Sequence, residues 1–457
     1  MKRALDMKQF NCFIVIGLII FFVSCVSTKE FKSAYNSLVR EEKTEYKSGN
    51  KVYTKEKLPT LNEESSLSDY LIYAGLNNPG LESAFNNWKA ALEKVPQARY
   101  LPEPILSYEY SIKTEESVVR LEQEFPWFEK LDLEGKMALQ MANIEGQMYE
   151  EGKLKLFYEV KKNYYEYYYV ARAINITEEN IQLMKYFEEV VRTKYKTDLA
   201  TYSDVIKAQV ELGKLENELL SVKFLQEPIR VKLNALLNRP TDIVIPFPKT
   251  IPEEKVNIAD EQFIIWLKEK NPELKALDFE IEKEKRAIER AKREYYPDIM
   301  LGIEYMDSPT PSMPEDNDYA AITGMISVNL PIWFGKYKAG VREAEARYTS
   351  VQKKRIDKEN NLIADLKMAL YELRDAERKI DLYKNTLIPK AEQSLQATQQ
   401  TFTVGKASFL DLIDAQRIFL EFKLSYERAL TDSAQKLAEL EMLVGRDITE
   451  IKQGTTN

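Results

Sequence analysis

Side chains able to do chemistry are scarce in this 457-residue sequence, and their spacing narrows the choice. Asp411 and Asp414 lie three apart, so in a helix both carboxylates share one face. By spacing alone they read as solvated surface charges, Asp414 pairing with Arg417 on the next turn. The run Tyr164, Tyr165, Tyr167, Tyr168 and Tyr169 has the rings and hydroxyls for a cation or an aromatic ligand. A helix seam with a wet outer surface accounts for the same run more simply. The chain has no histidine, which removes the usual general base, zinc ligand and triad member together. There is no Gly-rich phosphate loop, no cysteine cluster at ligand spacing and no nucleophile elbow. Nothing in the sequence supports catalysis, a cofactor or a resident metal.

One thiol has a chemistry suggested by its place. Residues 12–23 are an apolar run behind Lys2, Arg3 and Lys8, the pattern of a signal peptide over 1–24. The run is too short for a comfortable membrane span. It ends in Phe22-Val23-Ser24-Cys25, which resembles a bacterial lipobox, with Phe22 where leucine is usual. Cleavage before Cys25 would leave its thiol to carry diacylglycerol. Cys12 departs with the signal, so Cys25 would be the only cysteine left, with no internal disulfide to explain it. An ordinary signal peptide with an incidental cysteine is the plainer alternative. Removing 1–24 deletes three basic residues and one acidic, taking the formal charge from −8 to −10. That balance gives no electrostatic reason to bind nucleic acid.

The elements that must position these residues form a tandem repeat. Asn78-Pro79-Gly80-Leu81 returns as Asn271-Pro272-Glu273-Leu274, 193 residues later. Pro102 corresponds to Pro297, and Phe125-Pro126-Trp127-Phe128 to Leu330-Pro331 through Trp333-Phe334. Asp204-Val205-Ile206-Lys207-Ala208-Gln209 returns as Asp411-Leu412-Ile413-Asp414-Ala415-Gln416, shifted by 207, as does Leu237-Asn238-Arg239 as Val444-Gly445-Arg446. The two halves run over 67–240 and 260–447. Around them lie a lipidated N-terminal segment at 25–66, a proline-rich extended linker at 241–259 and a tail at 448–457. Each half is expected to hold a helix of roughly 20–35 residues ending at Pro102 or Pro297, two short strands, one very long helix and a last helix of roughly 40. Residues 131–196 contain no proline and, if continuous, would span roughly 100 Å. Leu156, Val160, Tyr164, Tyr167, Ala171 and Ile174 recur at coiled-coil spacing, as do Leu412, Ala415, Phe419, Phe422, Tyr426 and Ala429.

The short segments alternate. Leu106, Tyr108, Tyr110 and Ile112 face one way; Val119, Leu121 and Phe125 oppose Arg120, Glu122 and Glu124. Ile299, Leu301, Ile303 and Tyr305 oppose Gly302 and Glu304; Ile322, Ile326, Val328 and Leu330 oppose Thr323, Ser327 and Asn329. A half-buried sheet in a soluble protein alternates in the same way. Each segment also has about the length that crosses an outer membrane at a tilt. Four such strands cannot close a barrel, because membrane barrels begin at about eight strands. Three copies would supply twelve. The loop from 307 to 319, with Pro309, Pro311 and Pro314, suits an extracellular loop, and its counterpart over 113–116 is short.

Together these features resemble the TolC-like outer-membrane factor family, in its acylated branch. The resemblance is carried by the repeated Asn-Pro-x-Leu, the prolines before each strand pair and the Pro-x-Phe-like exits into the long helices. Its strongest local part is Phe402-Thr403-Val404-Gly405-Lys406-Ala407-Ser408-Phe409-Leu410-Asp411, continuing to Gln416. It implies a mainly α fold with a small membrane β part: a homotrimer with a twelve-stranded β-barrel and a long α-helical barrel. It further implies a passive exit channel, lipid-anchored in the bacterial outer membrane and docking on a periplasmic adaptor and an inner-membrane pump of the RND type. By alignment, Asp411 and Asp414 form pore-narrowing rings, and Asp198 and Gly405 occupy the tip turns. Asp204 matches the aspartate of the family's closing lock, whose partners align with Phe402 and Ala407. A non-channel coiled-coil scaffold or adhesion lipoprotein explains the helices and Cys25, but not four amphipathic strands at matching places in two repeats.

Overall fold

The computed structural model describes residues 29–42, 46–48, 51–251, 253, 255–308 and 319–448. The signal segment 1–24 and Cys25 lie outside them. In chain order the elements are α1 (Lys29–Glu42), paired strands β1 (Tyr46–Ser48) and β2 (Lys51–Tyr53), α2 (Leu67–Asn77), α3 (Pro79–Gln97), β3 (Ile105–Ser111), β4 (Glu116–Phe125), α4 (Lys130–Lys196) and α5 (Tyr202–Leu236). They continue with α6 (Asp260–Lys270), α7 (Pro272–Arg293), β5 (Ile299–Ser308), β6 (Tyr319–Val328), α8 (Phe334–Leu382), a π turn (Tyr383–Leu387), α9 (Ile388–Thr403) and α10 (Phe409–Val444). From α2 onward the order of the first half is repeated in the second. No helix among the described residues is long and apolar enough to cross a membrane.

The first helix of each half is two helices, and the side chains say why. At Asn78-Pro79, proline cannot continue the hydrogen-bond ladder but fits the first turn of a new helix. Asn78 Oδ1 then accepts from Leu81 N–H at 3.0 Å, capping that helix, while Nδ2 donates to Leu236 O at 2.9 Å. Asn271 Nδ2 donates to Leu443 O at 2.9 Å in the same way. The repeated Asn-Pro is therefore a clamp on the last carbonyls of each half's final helix. The helices also stop short of Pro102 and Pro297, at Gln97 and Arg293. Tyr100 N–H bonds back only three residues, to Gln97 O, as the chain leaves the α region ahead of proline. The second long helix is interrupted where Pro389 has no N–H for Asn385 O. Ile388 N–H reaches five residues back to Tyr383 O instead, widening one turn.

The chain divides into two compact units. The first takes in the described residues of Met1–Lys43 with Ala84–Met148 and Glu273–Asp357. It holds one antiparallel sheet in the order β3-β4-β5-β6. The register sets Arg120 opposite Glu304 and Glu304 opposite Thr323, so these polar positions share a face with Ser107. The other face carries Leu106, Tyr108, Val119, Leu121, Ile303 and Ile322. Leu106 is 71% exposed and Ile326 75%, so this apolar face has no cover among the described residues. Strands β3 and β6 end at Ser111 and Val328, leaving Ile112 and Leu330 just outside.

The second unit comprises the described residues of Thr44–Ser83, Tyr149–Pro272 and Lys358–Asn457. One core in it joins Met184, Phe187 and Val191 of α4 to Val205 and Ala208 of α5, Leu395 and Phe402 of α9, and Leu412 and Ile413 of α10. A fully buried leucine such as Leu412 contributes roughly 1.5–3 kcal/mol. The linker is extended, and side chains satisfy its backbone: Arg230 donates to Thr241 O and Ile243 O, Asn234 to Ile243 O, and Tyr167 to Ile245 O.

Both final helices end in a left-handed residue, Asn238 (φ 55°) and Gly445 (φ 71°), with Arg239 and Arg446 N–H bonding five residues back. A Cβ on Gly445 would sit 2.7 Å from Lys270 O. Gly445→Ala is expected to cost at least the roughly 1–3 kcal/mol of a strained backbone, lowering the thermal unfolding midpoint. An unchanged midpoint would show that α6 and the end of α10 can shift apart.

Candidate functional site

The turns between the long helices are built twice from the same parts. Leu199 N–H donates to Lys194 O at 2.8 Å around Asp198 (φ 55°). Lys406 N–H donates to Thr401 O at 2.9 Å around Gly405 (φ 77°). Each is a Schellman ending, and each is followed by a capping box. Asp204 accepts from Thr201 N–H at 3.2 Å and from its hydroxyl at 2.7 Å. Asp411 accepts from Ser408 N–H at 2.9 Å and from its hydroxyl at 2.8 Å. The two hydrogen bonds from Ser408, the hydroxyl first, hold the Asp411 carboxyl below its usual range. Asp204 and Asp411 therefore start their helices, whatever else they do.

Asp414 is exposed on the next turn, with Arg417 Nη1 at 3.6 Å. Arg417 has a second and nearer partner: its Nε donates to Glu211 Oε1 at 2.7 Å, and its Nη2 to the other oxygen. Glu211 is only 6% exposed, and the Arg417 hydrogen bond keeps its carboxyl ionised to lower pH than usual. The bridge ties α10 to α5. Sequence reasoning passed over Glu211, although a carboxylate in the seam Val205, Ala208, Glu211, Leu215 signals a buried cationic partner. Lys194 was also passed over. Its ammonium donates to Phe402 O at 2.7 Å and Thr403 O at 3.0 Å, and lies 4.7 Å from the Phe402 ring centroid. It thus caps the last carbonyls of α9 from the end of α4. Phe402 packs on Phe409 at 5.7 Å.

Further along these helices the tyrosine run is mostly interior. Tyr164, Tyr165, Tyr167 and Tyr168 are buried, whereas Arg428 covers the Tyr169 ring at 4.9 Å. Tyr168 donates to Glu427 at 3.1 Å and Arg172 to the same carboxylate at 2.9 Å. Burial, then the charge of Glu427, pushes the Tyr168 hydroxyl up to about 12, so it remains a donor. A buried amide pair, Gln416 to Asn180 at 3.1 Å, joins α10 to α4.

In the first unit the polar sheet face carries an ion-pair ladder, Glu109–Arg120–Glu304, across β3, β4 and β5. Just before β5, Asp298 accepts both from Lys130 Nζ, at 2.8 Å to each oxygen, and from Trp127 N–H at 2.6 Å. Lys130 is 3% exposed. The pair locks the exit of β4 to the entry of β5. Among the described residues no three acidic or thiol groups converge as a metal site.

Comparison with known proteins agrees with this geometry. A family model described as outer membrane efflux protein matches residues 266–446. The chain is 25% identical over 181 residues to the cobalt-zinc-cadmium resistance protein CzcC of Cupriavidus metallidurans, covering 39% of this chain and 41% of that protein. It is 22% identical over 305 residues to nodulation protein T of Rhizobium leguminosarum bv. trifolii, covering 64% of this chain and 63% of that one. The chain thus spans less than two thirds of the curated relatives it matches. In fold it is similar to the outer membrane protein VceC of Vibrio cholerae, with a TM-score of 0.70 at 16% identity over 83% of this chain and 96% of VceC. The family-model match lies in the second half, while the fold likeness to VceC extends over most of the chain, so in fold and in part of its sequence the chain is similar to outer membrane efflux proteins.

Proposed function

We propose that the chain is one of three identical protomers of an outer-membrane exit channel, a passive conduit and not an enzyme. One observation carries the reading: a four-stranded sheet with an uncovered apolar face, a charged opposite face and unpaired outer edges at β3 and β6. Unpaired edges are intolerable in lipid, and three copies closing edge to edge would remove them. The apolar face would meet lipid and the Arg120–Glu304 face the lumen. A scaffold lipoprotein would leave that sheet face without a purpose. By family likeness the helical end would dock on a periplasmic adaptor and an inner-membrane pump of the RND type. Cys25 would anchor the chain to the outer membrane through lipid.

In the same reading Asp411 and Asp414 narrow the pore, and threefold symmetry would gather six carboxylates near its axis. The test is single-channel conductance of the detergent-extracted protein in planar bilayers, after its mass in detergent has been measured. Pores from a species of three chains are expected, blocked by polyvalent cations. Asp411→Asn with Asp414→Asn should weaken that block severalfold. Asparagine is the right replacement because it keeps an acceptor for the Ser408 cap. Unchanged block would overturn the aperture; a monomer that never conducts would overturn the channel.

A further inference from the structure

The two repeats place equivalent lysines, 206 residues apart, in opposite surroundings. Lys130, two residues after Phe128, is buried on Asp298. Lys336, two residues after Phe334, is exposed, with the Tyr337 ring at 5.7 Å. Lys338 and Arg342 follow on the same helix, also exposed. Among the described residues none of the three has an acidic partner. The first acid of α8, Glu343, is taken by Arg347 at 2.6 Å. Lys338 and Arg342 stand four apart, a like-charge pair that weakens a helix by about as much as an opposite-charge pair would strengthen it. Nothing among the described residues offsets that repulsion.

What precedes these cations is apolar and open. The outward face of β6 runs on past the strand through Leu330 and Ile332 to Trp333 and Phe334, and Trp333 is 71% exposed. Exposed aromatic side chains at the end of apolar strands mark the level where a membrane barrel meets lipid headgroups. Cations within the next turns of helix reach the phosphate layer at that level, and lysine and arginine both bind phosphate.

We propose that Lys336, Lys338 and Arg342, beside Trp333 and Phe334, form a binding surface for anionic phospholipid headgroups on the helix side of the bilayer. The proposal rests on the membrane-barrel reading above. The opposite use of Lys130 makes the surface a property of the second repeat alone. The binding is electrostatic, so it weakens as salt rises.

The test uses the full-length protein in phosphatidylcholine vesicles containing either brominated phosphatidylcholine or brominated phosphatidylglycerol. Quenching of tryptophan fluorescence reports which lipid sits against Trp333, and Trp333→Phe identifies its share of the signal. Brominated phosphatidylglycerol is expected to quench at the lower mole fraction. Replacing the three cations with glutamine should cut its relative association by about fivefold per side chain, with phosphatidylcholine quenching unchanged. In the unaltered protein the preference should fall as salt is raised, which tests the surface without any substitution. Equal quenching by both lipids, or a preference indifferent to salt, would overturn the headgroup surface and leave the barrel standing. Quenching by neither lipid would overturn both.

Discussion

Ile303→Arg is expected to keep the chain from assembling in the membrane, whereas Thr323→Arg, on the opposite sheet face, is expected to be tolerated. Ile303 lies on β5 between Leu121 and Gly324, on the uncovered apolar face. An arginine on the lipid side of a barrel costs roughly 2–4 kcal/mol near the midplane, and a trimer would carry the cost three times. Thr323 sits opposite Glu304, where an arginine meets a carboxylate and water. The measurement is the fraction of protein extracted from outer membranes and its migration as a heat-stable oligomer. Normal insertion of the Ile303 variant together with failure of the Thr323 variant would mean that the faces are reversed.

Lys130→Met should destabilise the protein by about 3–5 kcal/mol, because it leaves the Asp298 carboxylate largely enclosed without its cation. Asp298→Asn alone should also be costly, since it leaves a lysine that is 3% exposed with only Glu294, at 4.0 Å, as its acidic partner among the described residues. The double variant should recover part of the loss, as two neutral side chains leave no charge behind. A pH dependence follows. Burial by itself would raise the Asp298 pKa, but the hydrogen bonds from Lys130 and from Trp127 N–H outweigh it, and the net shift is downward. A carboxyl held down in the folded state stabilises above its unfolded pKa, near about 4, and the stabilisation is lost as pH falls through the lower folded value. The unaltered protein should therefore lose stability below about pH 4, and Lys130→Met should show little of that slope. Thermal midpoints of the detergent-solubilised protein between pH 3 and 7 would check this; parallel curves would rule the pair out as the cause.

The parts that were legible in the sequence are those that depend on near neighbours. The alternation that separates Ile303 from Glu304 has a period of two, and the strands follow it to within three residues. The positive φ at Gly405 and Asp198 is set within a few residues of each turn; the capping by Asp204 and Asp411 is equally local, though the sequence reading gave those aspartates to the closing lock and the pore. Asn78-Pro79 was visible as a repeated motif, but not as a break, because the groups its side chain bonds lie 158 residues away at Leu236. The same distance problem hid the Arg417–Glu211 bridge, 206 residues apart, and the Lys130–Asp298 pair, 168 apart. Local periodicity identifies a buried charge as an exception; only the tertiary fold says which partner excuses it. The helix ends near Pro102 and Pro297 were misjudged for another reason. Proline restrains the residues ahead of it as well as itself, so the chain leaves the helix before reaching it.

The π turn at Tyr383–Leu387 has a meaning for the history of the chain. Trp127 and Trp333, at the head of the two long helices, are 206 residues apart, while Asp204 and Asp411, beyond their far ends, are 207 apart. Somewhere between these landmarks the second copy has one amino acid more than the first. Within a rigid α-helix an extra residue would rotate everything after it by about 100° and turn the apolar stripe of α9 away from its neighbours. A single widened turn takes up that residue where it arose. The caps, the Gly405 turn and the seam of α10 thus keep the phase they share with the first copy. One codon's difference between two ancestral duplicates is absorbed in five residues, and the symmetry of the helical hairpins survives it.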